Sequence, residues 1–363
     1  MVPWASPEFD SHEHVCAFFD PRSGLRAIVA MHSLALGPAA GGTRFWPYPS
    51  DDLALADALR LSRAMSYKCA LAGVPLGGGK ATIIGDPRKD KNEALLKTYG
   101  HFLNRIGNQF STGEDVGMSV ADCEIIRTVS PFVAGTRSSG AGDPSLHAAL
   151  GVFYGIRAVL ECHFNRDDYD GVRFAVQGVG NVGMKLCRLL HEAGADLTVS
   201  DIASENAKEC SERFSARVVD PDVIHAVNAD VFVPCALGGV INARTVGSIR
   251  AKAIAGAANN QLESAAVGAQ LHSRGILFAP DYVINAGGLI GAAEELARMP
   301  GRNFSISGTI EVRLQRIHDR LIEIFDLAES TRETPELTAE RMARDILCAN
   351  QASIRPDFTC TRK

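Results

Sequence analysis

The sequence offers little that would tie the protein to a metal, a membrane or a nucleic acid. Its ten histidines are scattered, without HExxH or another tight ligand spacing, so we expect no metal site. No stretch approaches the roughly 18 continuous apolar residues of a membrane span. The 37 basic residues are interspersed with 42 acidic ones, which leaves no basic stripe for nucleic acid or acidic lipid. Acids and histidines precede any apolar run at the start of the sequence, and we expect a cytoplasmic protein.

The cysteines lack a pattern as well. Nine is an odd number, and no two of them form a CxxC pair. We therefore expect small buried hydrophobic side chains or free thiols in a reducing compartment. The residues concerned are Cys16, Cys69, Cys123, Cys162, Cys187, Cys210, Cys235, Cys348 and Cys360.

Two domains are predicted from length and pattern. A chain of 363 residues exceeds the roughly 250 to 300 residues at which a single core stops growing. The small, polar stretch SSGAGDPS from Ser138 is typical of a linker or turn, so we place domains over 1–139 and 140–334. Amphipathic helices are predicted at about 309–329 and within about 335–363, and we expect the last one to pack back on the first domain.

The N-terminal domain has the pattern of an α/β domain. Strand-like runs, HVCAFFD from His14 and LRAIVAMHS from Leu25, precede helical periodicity from Asp51 and from Lys91. Ser50 and Asp51 are candidate caps for the first of these helices.

The second domain has the pattern of a doubly wound, parallel sheet. Strand, glycine turn, helix and strand follow one another from Val172 as VRFAVQ, GVGNVG, MKLCRLLHEAG and DLTVSD. Further β runs begin at Asp230, Ala251 and Ile276, the last being ILFAPDYVIN. This alternation predicts a nucleotide-binding architecture.

A glycine motif between the first strand and helix of that domain predicts dinucleotide binding. Gly178, Gly180 and Gly183 form GxGxxG, whose backbone amides and helix N-terminus can hold a pyrophosphate. Asp201 stands at the end of the next strand, where an acid accepts hydrogen bonds from ribose hydroxyls and repels a 2′-phosphate. This favours NAD over NADP, with the alternative that Asp201 caps a helix beginning at Ile202.

A second glycine-rich stretch, LGGGKATIIGDP from Leu76, does not fit a phosphate-binding loop. In GxxxxGK[ST] the first glycine would stand at Val74, and Ala81 after the lysine has no hydroxyl for magnesium. A kinase-like use of this stretch is therefore disfavoured. Lys80 is free for substrate binding or catalysis.

Lys68 and Asp115 are candidates for the same chemistry. If Lys68 and Lys80 faced one cleft, each would lower the other's affinity for a proton, and one could act as a base. Asp115, in GEDVG, is a candidate acid or base. The alternatives are two surface lysines flanking a turn and a solvated acid.

These stretches together resemble the glutamate, leucine, phenylalanine and valine dehydrogenase family, most closely its leucine and phenylalanine branches. The resemblance implies an α/β fold of two domains: an N-terminal substrate-binding and catalytic domain and a Rossmann, doubly wound NAD-binding domain, with the active site in the cleft between them. It also implies a homo-oligomer. It covers nearly the whole chain through the motifs LGPAAGGTRFWPY from Leu36, RAMSYKCALAG from Arg63, PLGGGKATIIGDP from Pro75, TGEDVG from Thr112, AVQGVGNVG from Ala175, VPCALGGVIN from Val233, AGAANNQL from Ala255 and DYVINAGG from Asp281.

The resemblance implies a role for each matching residue. Lys68 would bind the α-carboxylate of an amino acid, Lys80 would be the catalytic lysine, and Asp115 would exchange protons with the amino nitrogen. The substrate and the nicotinamide would be lined by Gly41, Gly42, Asn259 and Asn285. NAD would be held by Gly178, Gly180, Asn181, Val182, Gly183, Asp201, Ala236 and Asn259.

The implied reaction is the reversible oxidative deamination of an apolar L-amino acid. A hydride passes from Cα to NAD, water activated by Lys80 attacks the resulting iminium, and Asp115 helps to expel ammonia, which leaves a 2-oxo acid. The residue types suit these steps, because a fixed cation orients the substrate carboxylate and a neutral amine can act as a base.

The preferred side chain depends on four implied pocket positions, Ala40, Gly113, Leu314 and Ile317. Gly113 with Leu314 resembles the phenylalanine branch, and Ala40 leaves room where leucine enzymes usually have leucine. Phenylalanine is therefore favoured. FWPY from Phe45 resembles the leucine and valine branches, which keeps a branched-chain substrate open.

One departure from the family pattern lies at Ala148, within PSLHAALG, where members usually have a threonine that hydrogen-bonds the nicotinamide amide. His147 or a water could replace that contact, or His147 simply stands at the start of a helix. The departure raises the alternative of a catalytically silent, NAD-sensing regulatory protein. Retention of Lys68, Lys80 and Asp115 argues against it.

Overall fold

The computed structural model describes residues 2–136, 144–302 and 304–354, with side chains as far as 351. These residues form two compact units. Unit 1 comprises the described residues of Met1–Gly142, Ala292–Ser307 and Ala343–Lys363, and unit 2 comprises those of Asp143–Gly291 and Gly308–Met342. The predicted linker from Ser138 and the domain boundary within it fall largely outside the described residues, as does the part of the predicted last helix beyond 354.

Unit 1 contains a mixed sheet, which confirms the predicted α/β class. Its hairpin is antiparallel and pairs with a central strand, which also carries parallel partners. The strand order is β1, β2, β5, β3, β6, with β4 also paired to β5. The strands are β1 (His14–Asp20), β2 (Leu25–Ser33), β3 (Ala39–Ala40), β4 (Thr43–Trp46), β5 (Gly77–Ile84) and β6 (Phe110–Ser111).

Three helices of unit 1 have side chains at their N-termini that satisfy free backbone amides. Ser50 accepts the amide of Leu53, which confirms the predicted cap of the first helix, and Asn92 caps the second. A third helix, which the sequence did not predict, begins with a capping box formed by Ser119 and Asp122. The helices are α1 (Asp51–Ala72), α2 (Glu93–Ile106) and α3 (Val120–Arg127).

The glycine-rich run of unit 1 is a buried strand and not a turn. Gly77–Ile84 lies at the centre of the sheet, and α1 packs so closely on it that a Cβ at Gly78 would lie 2.1 Å from the amide nitrogen of Ser66. A Cβ at Gly79 would lie 2.7 Å from the ring of Phe110. The glycines therefore allow close packing on the strand. Lys80 within this strand is only 8% exposed, so the alternative of two surface lysines flanking a turn is wrong for Lys80.

Unit 2 contains the predicted parallel sheet, with the strand order β12, β11, β10, β7, β8, β9. This is a doubly wound order, in which the sequential order of the strands reverses between two neighbouring parallel strands, here β7 and β10, and leaves a crevice at their carboxyl ends. The strands are β7 (Arg173–Gln177), β8 (Asp196–Ser200), β9 (Arg217–Val218), β10 (Val231–Pro234), β11 (Ala253–Ile254) and β12 (Leu277–Phe278).

One predicted strand of unit 2 is too long. The run from Ile276 to Asn285 is extended only at Leu277–Phe278, and Asp281–Ile284 forms a turn of helix. Pro280 precedes that turn and cannot donate a ladder hydrogen bond, while the Asp281 carboxylate accepts the amide of Gln261 at 2.8 Å. The periodicity of the apolar residues alone did not reveal this change.

The remaining helices include both amphipathic helices predicted near the C-terminus. They are α4 (Pro144–Phe164), α5 (Asn181–Glu192), α6 (Ser204–Phe214), α7 (Ala265–Ser273), α8 (Asp281–Ile284), α9 (Gly287–Ala297), α10 (Ile310–Thr331) and α11 (Pro335–Ile354). Helices α9 and α11 each contribute residues to both units.

The described cysteines are mostly free thiols. Cys348 is the exception, since it is disulfide-bonded, and the expectation of a free or simply buried thiol is wrong there. The free thiols are Cys16, Cys69, Cys123, Cys162, Cys187, Cys210 and Cys235. Within the described residues, no three His, Cys, Asp or Glu side chains are grouped as metal ligands, and no helix is both long and apolar enough to cross a membrane.

Candidate active site

Lys80 and Asp115 form a largely buried ion pair in unit 1. Lys80 lies in the middle of β5, where it pairs with Ala30 of β2, and its ammonium contacts the Oδ2 oxygen of Asp115. The two side chains are 11% and 20% exposed. The structure thus brings together the two residues that were predicted to be catalytic, and it places them in a setting that is shielded but still reachable from solvent.

The electrostatic environment keeps Asp115 ionised. Burial acts to raise the pKa of its carboxyl, but the Lys80 ammonium and the Arg44 guanidinium outweigh that effect, and the net pKa is lowered. Arg44 stands on β4 with its Nε 3.5 Å from the same Oδ2 oxygen. A carboxylate flanked by two cations is ionised at rest and can accept a proton from the Lys80 ammonium beside it.

Backbone pairing with β4 holds the segment that carries Asp115. The amide of Thr43 donates to the carbonyl of Gly113 at 2.9 Å, and the amide of Phe45 donates to that of Val116 at 2.9 Å. Gly117 follows with φ +79, and a Cβ there would lie 1.9 Å from the carbonyl oxygen of Phe45. The segment therefore follows β4 closely, and glycine is required where it turns away.

The predicted substrate-lining glycines lie against this pair. The amide of Gly41 donates to the carbonyl of Ser111 at 3.1 Å, and a Cβ at Gly41 would lie 1.8 Å from the carbonyl oxygen of Gly79. The carbonyl of Gly42 accepts the amide of Ala81 at 3.3 Å. The double glycine thus passes directly along β5 beside Lys80.

Two further residues that were predicted to bind substrate lie in unit 1, on β3 and α1. Ala40 is 3% exposed and pairs with Gly78 of β5 and Ser111 of β6. Lys68 is half-buried on α1, the helix whose Ser66 lies against Gly78. Both belong to unit 1 together with Lys80 and Asp115.

The glycine motif of unit 2 forms a cradle that suits a pyrophosphate. Gly178 adopts φ +90 and donates to the carbonyl of Ser200 at 2.8 Å, and a Cβ at Gly183 would lie 2.0 Å from the carbonyl oxygen of Gly178. A Cβ at Gly180 would meet nothing within 4 Å. Helix α5 starts at Asn181 with no side-chain cap, so its first amides can bind phosphate oxygens. These residues fit NAD.

Asp201 braces this cradle. Its Oδ2 accepts the amide of Val179 and its Oδ1 accepts the amide of Ala203, each at 2.8 Å. Helix α6 begins at Ser204, with Ala203 at its N-cap position, so Asp201 is not the cap of a helix beginning at Ile202. Each carboxylate oxygen keeps lone-pair capacity for a ribose hydroxyl.

Basic side chains that sequence reasoning missed flank the cradle. A depression of about 510 Å³ is bounded by α5 and α6 and includes Gly180 and Asn181. Lys185 and Arg188 of α5 and Arg213 of α6 line it. Asn181, Lys185 and Arg188 follow one another at steps of four and three residues, a helical spacing that could have revealed a common basic face. Their charge favours an anionic ligand.

The two asparagines predicted to line substrate and nicotinamide contact each other. The Nδ2 of Asn285, a residue only 6% exposed, donates to the Oδ1 of Asn259 at 2.7 Å. Asn259 itself is exposed. Ala236 is also exposed and lies beside the glycine turn, since a Cβ at Gly178 would lie 2.8 Å from that of Ala236.

The predicted pocket residues of unit 2 are on α10. Leu314 and Ile317 are 1% and 3% exposed, and a Cβ at Gly151 of α4 would lie 2.8 Å from the Cδ1 of Ile317. Ala148 lies one turn earlier on α4. The ring of its neighbour His147 has an Nδ1 that makes no hydrogen bond to any described residue. Gly113, the remaining pocket residue, is half-buried in unit 1.

Comparison with known proteins gives consistent similarities over nearly the whole chain. Residues 12–130 match the family profile "Glu/Leu/Phe/Val dehydrogenase, dimerisation domain", and residues 141–205 and 202–345 match the profile "Glutamate/Leucine/Phenylalanine/Valine dehydrogenase". A leucine dehydrogenase of Geobacillus stearothermophilus is 45% identical over 92% of this chain and 90% of its own length. A phenylalanine dehydrogenase of Bacillus thermotolerans is 42% identical over 94% and 90%. The crystal structure of L-tryptophan dehydrogenase from Nostoc punctiforme has a TM-score of 0.82 and 41% identity, and it covers 94% of this chain and 97% of that chain.

Proposed function

Because the chain belongs to the glutamate, leucine, phenylalanine and valine dehydrogenase family, as an NAD-dependent oxidoreductase acting on CH–NH2 donors, we propose that it reversibly deaminates an apolar L-amino acid, with phenylalanine favoured. The products are the 2-oxo acid and ammonia. The observation that carries the proposal is the largely buried pair of Lys80 and Asp115 in the same chain as a dinucleotide cradle. A structural ion pair alone would not require that cradle.

The proposed mechanism divides the chemistry among three side chains of unit 1. The Lys68 ammonium binds the α-carboxylate and thereby fixes the orientation of Cα. Lys80, once it has given up its proton, removes a proton from the water that adds to the imine carbon. Asp115 accepts from Lys80 the proton that came from this water and passes it to the amino nitrogen, so that ammonia can leave. Their ion pair provides a direct route for proton exchange.

NAD supplies the hydride acceptor for this reaction when it is bound. Asp201 would accept hydrogen bonds from the ribose, and Ala236 and Asn259 would lie against the cofactor. Asn259 and Asn285 would act together on the nicotinamide and substrate side, which their mutual hydrogen bond supports. The pyrophosphate would be held by Gly178, Gly180, Asn181, Val182 and Gly183.

Phenylalanine is proposed as the preferred substrate on the size of four side chains. Ala40 and Gly113 are small, and Leu314 and Ile317 are apolar. A branched-chain substrate is the second candidate, favoured by the 45% identity to a leucine dehydrogenase. A pocket difference of one methylene changes specificity by only about 1 to 3 kcal/mol, so the two candidates differ little in energy.

A test of the proposed function is NADH formation at alkaline pH from phenylalanine, leucine, valine and tryptophan, with NADP in parallel. We expect turnover with NAD and the highest kcat/KM for phenylalanine. A higher value for leucine or valine would retain the reaction and overturn the substrate. No turnover with any amino acid, in either direction, combined with tight NAD binding would instead support the silent NAD-sensing alternative raised by Ala148.

The role of Lys80 can be tested with a matched pair of variants. Lys80→Ala should abolish turnover and leave NAD binding, measured by calorimetry, within about twofold of the wild type, because the cradle lies in unit 2. Lys89→Ala is the control, since Lys89 is 81% exposed and pairs only loosely with Asp86 at 3.5 Å. Full activity in Lys80→Ala would remove the mechanism.

We also propose that the protein is a homo-oligomer. Strand β1 forms one edge of the sheet of unit 1, and Phe19 on it is 67% exposed. An exposed, apolar edge strand is a natural pairing surface for a second copy. Light scattering should give a mass that is a multiple of 38.8 kDa, and a monomer at micromolar concentration would refute this part of the proposal.

A further inference from the structure

Arg44 of β4 connects the catalytic pair to a second carboxylate. Its Nε is buried, makes no hydrogen bond to any described residue, and lies 3.5 Å from the Oδ2 of Asp115. Its Nη1 donates to the Oδ2 of Asp57, on α1, at 2.9 Å. The guanidinium therefore lies between two carboxylates, with one edge toward each. Neither the resemblance nor the sequence pattern assigned a role to this residue.

Asp57 is itself held firmly. The hydroxyl of Tyr48 donates to its Oδ2 at 2.7 Å, and the Nη2 of Arg60 donates to its Oδ1 at 2.7 Å. The Asp57 side chain is 14% exposed. Burial and the neighbouring Asp57 carboxylate raise the pKa of Tyr48, so its hydroxyl stays a donor. Asp57 is thus a fixed anchor for Arg44.

We propose that Arg44 is a positioning residue for the deamination, which holds the Asp115 carboxylate in place beside Lys80 and tunes the protonation of the Lys80–Asp115 pair. The inference rests on the proposed function. Arg44 acts through Asp115 and not on the substrate. Asp57 and Tyr48 act one step further away, by fixing the guanidinium.

Arginine suits this position better than lysine would. A planar guanidinium can present Nε to one carboxylate and Nη1 to another at fixed spacing, whereas an ammonium is a single point of charge on a flexible stem. Lysine at position 44 would keep the charge near Asp115 but could not face both carboxylates in the same way. Charge and placement can therefore be separated by substitution.

The expected direction of the pH effect follows from charge alone. Among the described residues, the charged and titratable groups that act on Asp115 include Lys80 of β5, Arg44 of β4 and Tyr48 beyond β4. Removal of a nearby positive charge raises the proton affinity of every neighbouring group. The acid limb of the pH–activity profile reports the protonation of Lys80 or of Asp115. In either case, Arg44→Gln should move this limb to higher pH.

The experiment measures kcat and kcat/KM as a function of pH for the wild type, Arg44→Gln, Arg44→Lys and Arg60→Gln. Arg44→Gln should move the acid limb of kcat/KM up by about one pH unit and lower kcat about tenfold, with a smaller change in KM. Arg60→Gln is the matched control. This substitution removes the same charge, and Arg60 contacts the same Asp57. Arg60 is 40% exposed, however, and makes no contact with Asp115 among the described side-chain pairs. Its acid limb should stay in place.

Arg44→Lys gives a test that does not depend on the folding of the glutamine variant. It should keep the wild-type acid limb, because the positive charge remains. It should lower kcat several-fold, because lysine cannot face Asp115 and Asp57 at the same time as the planar guanidinium does. A wild-type kcat in Arg44→Lys, or an unmoved limb in Arg44→Gln, would overturn the inference.

A measurement without turnover separates this inference from the proposed function. Competitive labelling of Lys80 with acetic anhydride, followed by mass spectrometry at a series of pH values, reports the protonation of the pair directly. Its midpoint should rise in Arg44→Gln and stay in Arg60→Gln. If the wild type deaminates no amino acid, the proposed function fails. If the labelling midpoint is equal in both variants and the wild type, Arg44 does not tune the pair and the inference fails.

Discussion

The α-carbon of Gly42 faces Asp115 so closely that a Cβ there would lie 3.0 Å from the Cβ of Asp115. The same atom would lie 2.5 Å from the carbonyl oxygen of Glu114. Gly42→Ala should therefore displace the carboxylate from Lys80 and lower kcat by at least about 100-fold, since small misplacements of reacting groups have large effects on rate. Steady-state kinetics checks this.

The control for that variant is Gly247→Ala, because a Cβ at Gly247 would meet nothing within 4 Å. It should retain wild-type kcat. An active Gly42→Ala enzyme would show that the segment around Asp115 moves freely, contrary to its backbone pairing with β4.

Lys91 should stabilise the segment that carries Asp115 by binding it at Gly117. Its ammonium donates to the carbonyl of Gly117 at 2.9 Å and to the carboxylate of Asp122 at 2.6 Å. Lys91→Met would leave the Asp122 carboxylate, in a residue only 8% exposed, without its cation. We expect the free energy of unfolding to fall by about 2 kcal/mol in urea titrations, with a several-fold loss of kcat.

Lys97→Met is the matched control for Lys91. Lys97 pairs with Glu93 within one helix and is 40% exposed, so its loss should change the free energy of unfolding by less than about 0.5 kcal/mol. Equal effects of the two substitutions would contradict the role given to Lys91.

His12 should make stability depend on pH in the weakly acidic range. Burial, reinforced by the charge of His32, lowers the pKa of His12 to about 4 from an ordinary value of 6.5. Between these values the unfolded chain binds more protons than the folded one, so the free energy of unfolding falls as the pH falls from about 6.5 to about 4. Because a one-unit shift is equivalent to about 1.4 kcal/mol, this single residue contributes about 3 kcal/mol to that loss.

Urea titrations from pH 7 to pH 4.5 on His12→Gln check the assignment. Glutamine can still donate to the carbonyl of Leu59, which the His12 Nε2 contacts at 2.9 Å, but it cannot take up a proton. The variant should show a flatter dependence on pH, whereas the exposed control His14→Gln should follow the wild type. Parallel curves for all three proteins would remove His12 as the cause.

The parts of the fold that are set locally were predictable. The strands at His14 and Leu25 and the helix after Ser50 were predicted at their observed starts, because alternation, periodicity and a capping serine are all properties of neighbouring residues. The dinucleotide cradle was predictable for the same reason, since GxGxxG lies between a strand and a helix that are adjacent in sequence.

The parts that depend on distant residues were not predictable. Gly77–Ile84 has a turn-like composition, and it is a central strand because it pairs with β2, β3 and β4, while its glycines leave room for Ser66 and Phe110. The contacts of Asp115 with Arg44 likewise join separate segments through the sheet. Lys80 and Asp115 were candidates from their sequence context, but only the resemblance to a family gave each of them a role and added the asparagine pair.

Gly113 and Leu314 should determine the preference for an aromatic side chain. A Cβ at Gly113 would lie 3.4 Å from the carbonyl oxygen of Ala134, an ordinary contact, so Gly113→Ala should be tolerated. Combined with Leu314→Val, which reshapes a side chain that is 1% exposed, it should lower the ratio of kcat/KM for phenylalanine over leucine by about 10- to 100-fold. Leu321→Val, at a fully buried position on the same helix, is the control and should leave the ratio unchanged. If the double variant is active with the wild-type ratio, the pocket lies elsewhere and the preference for phenylalanine loses its structural basis.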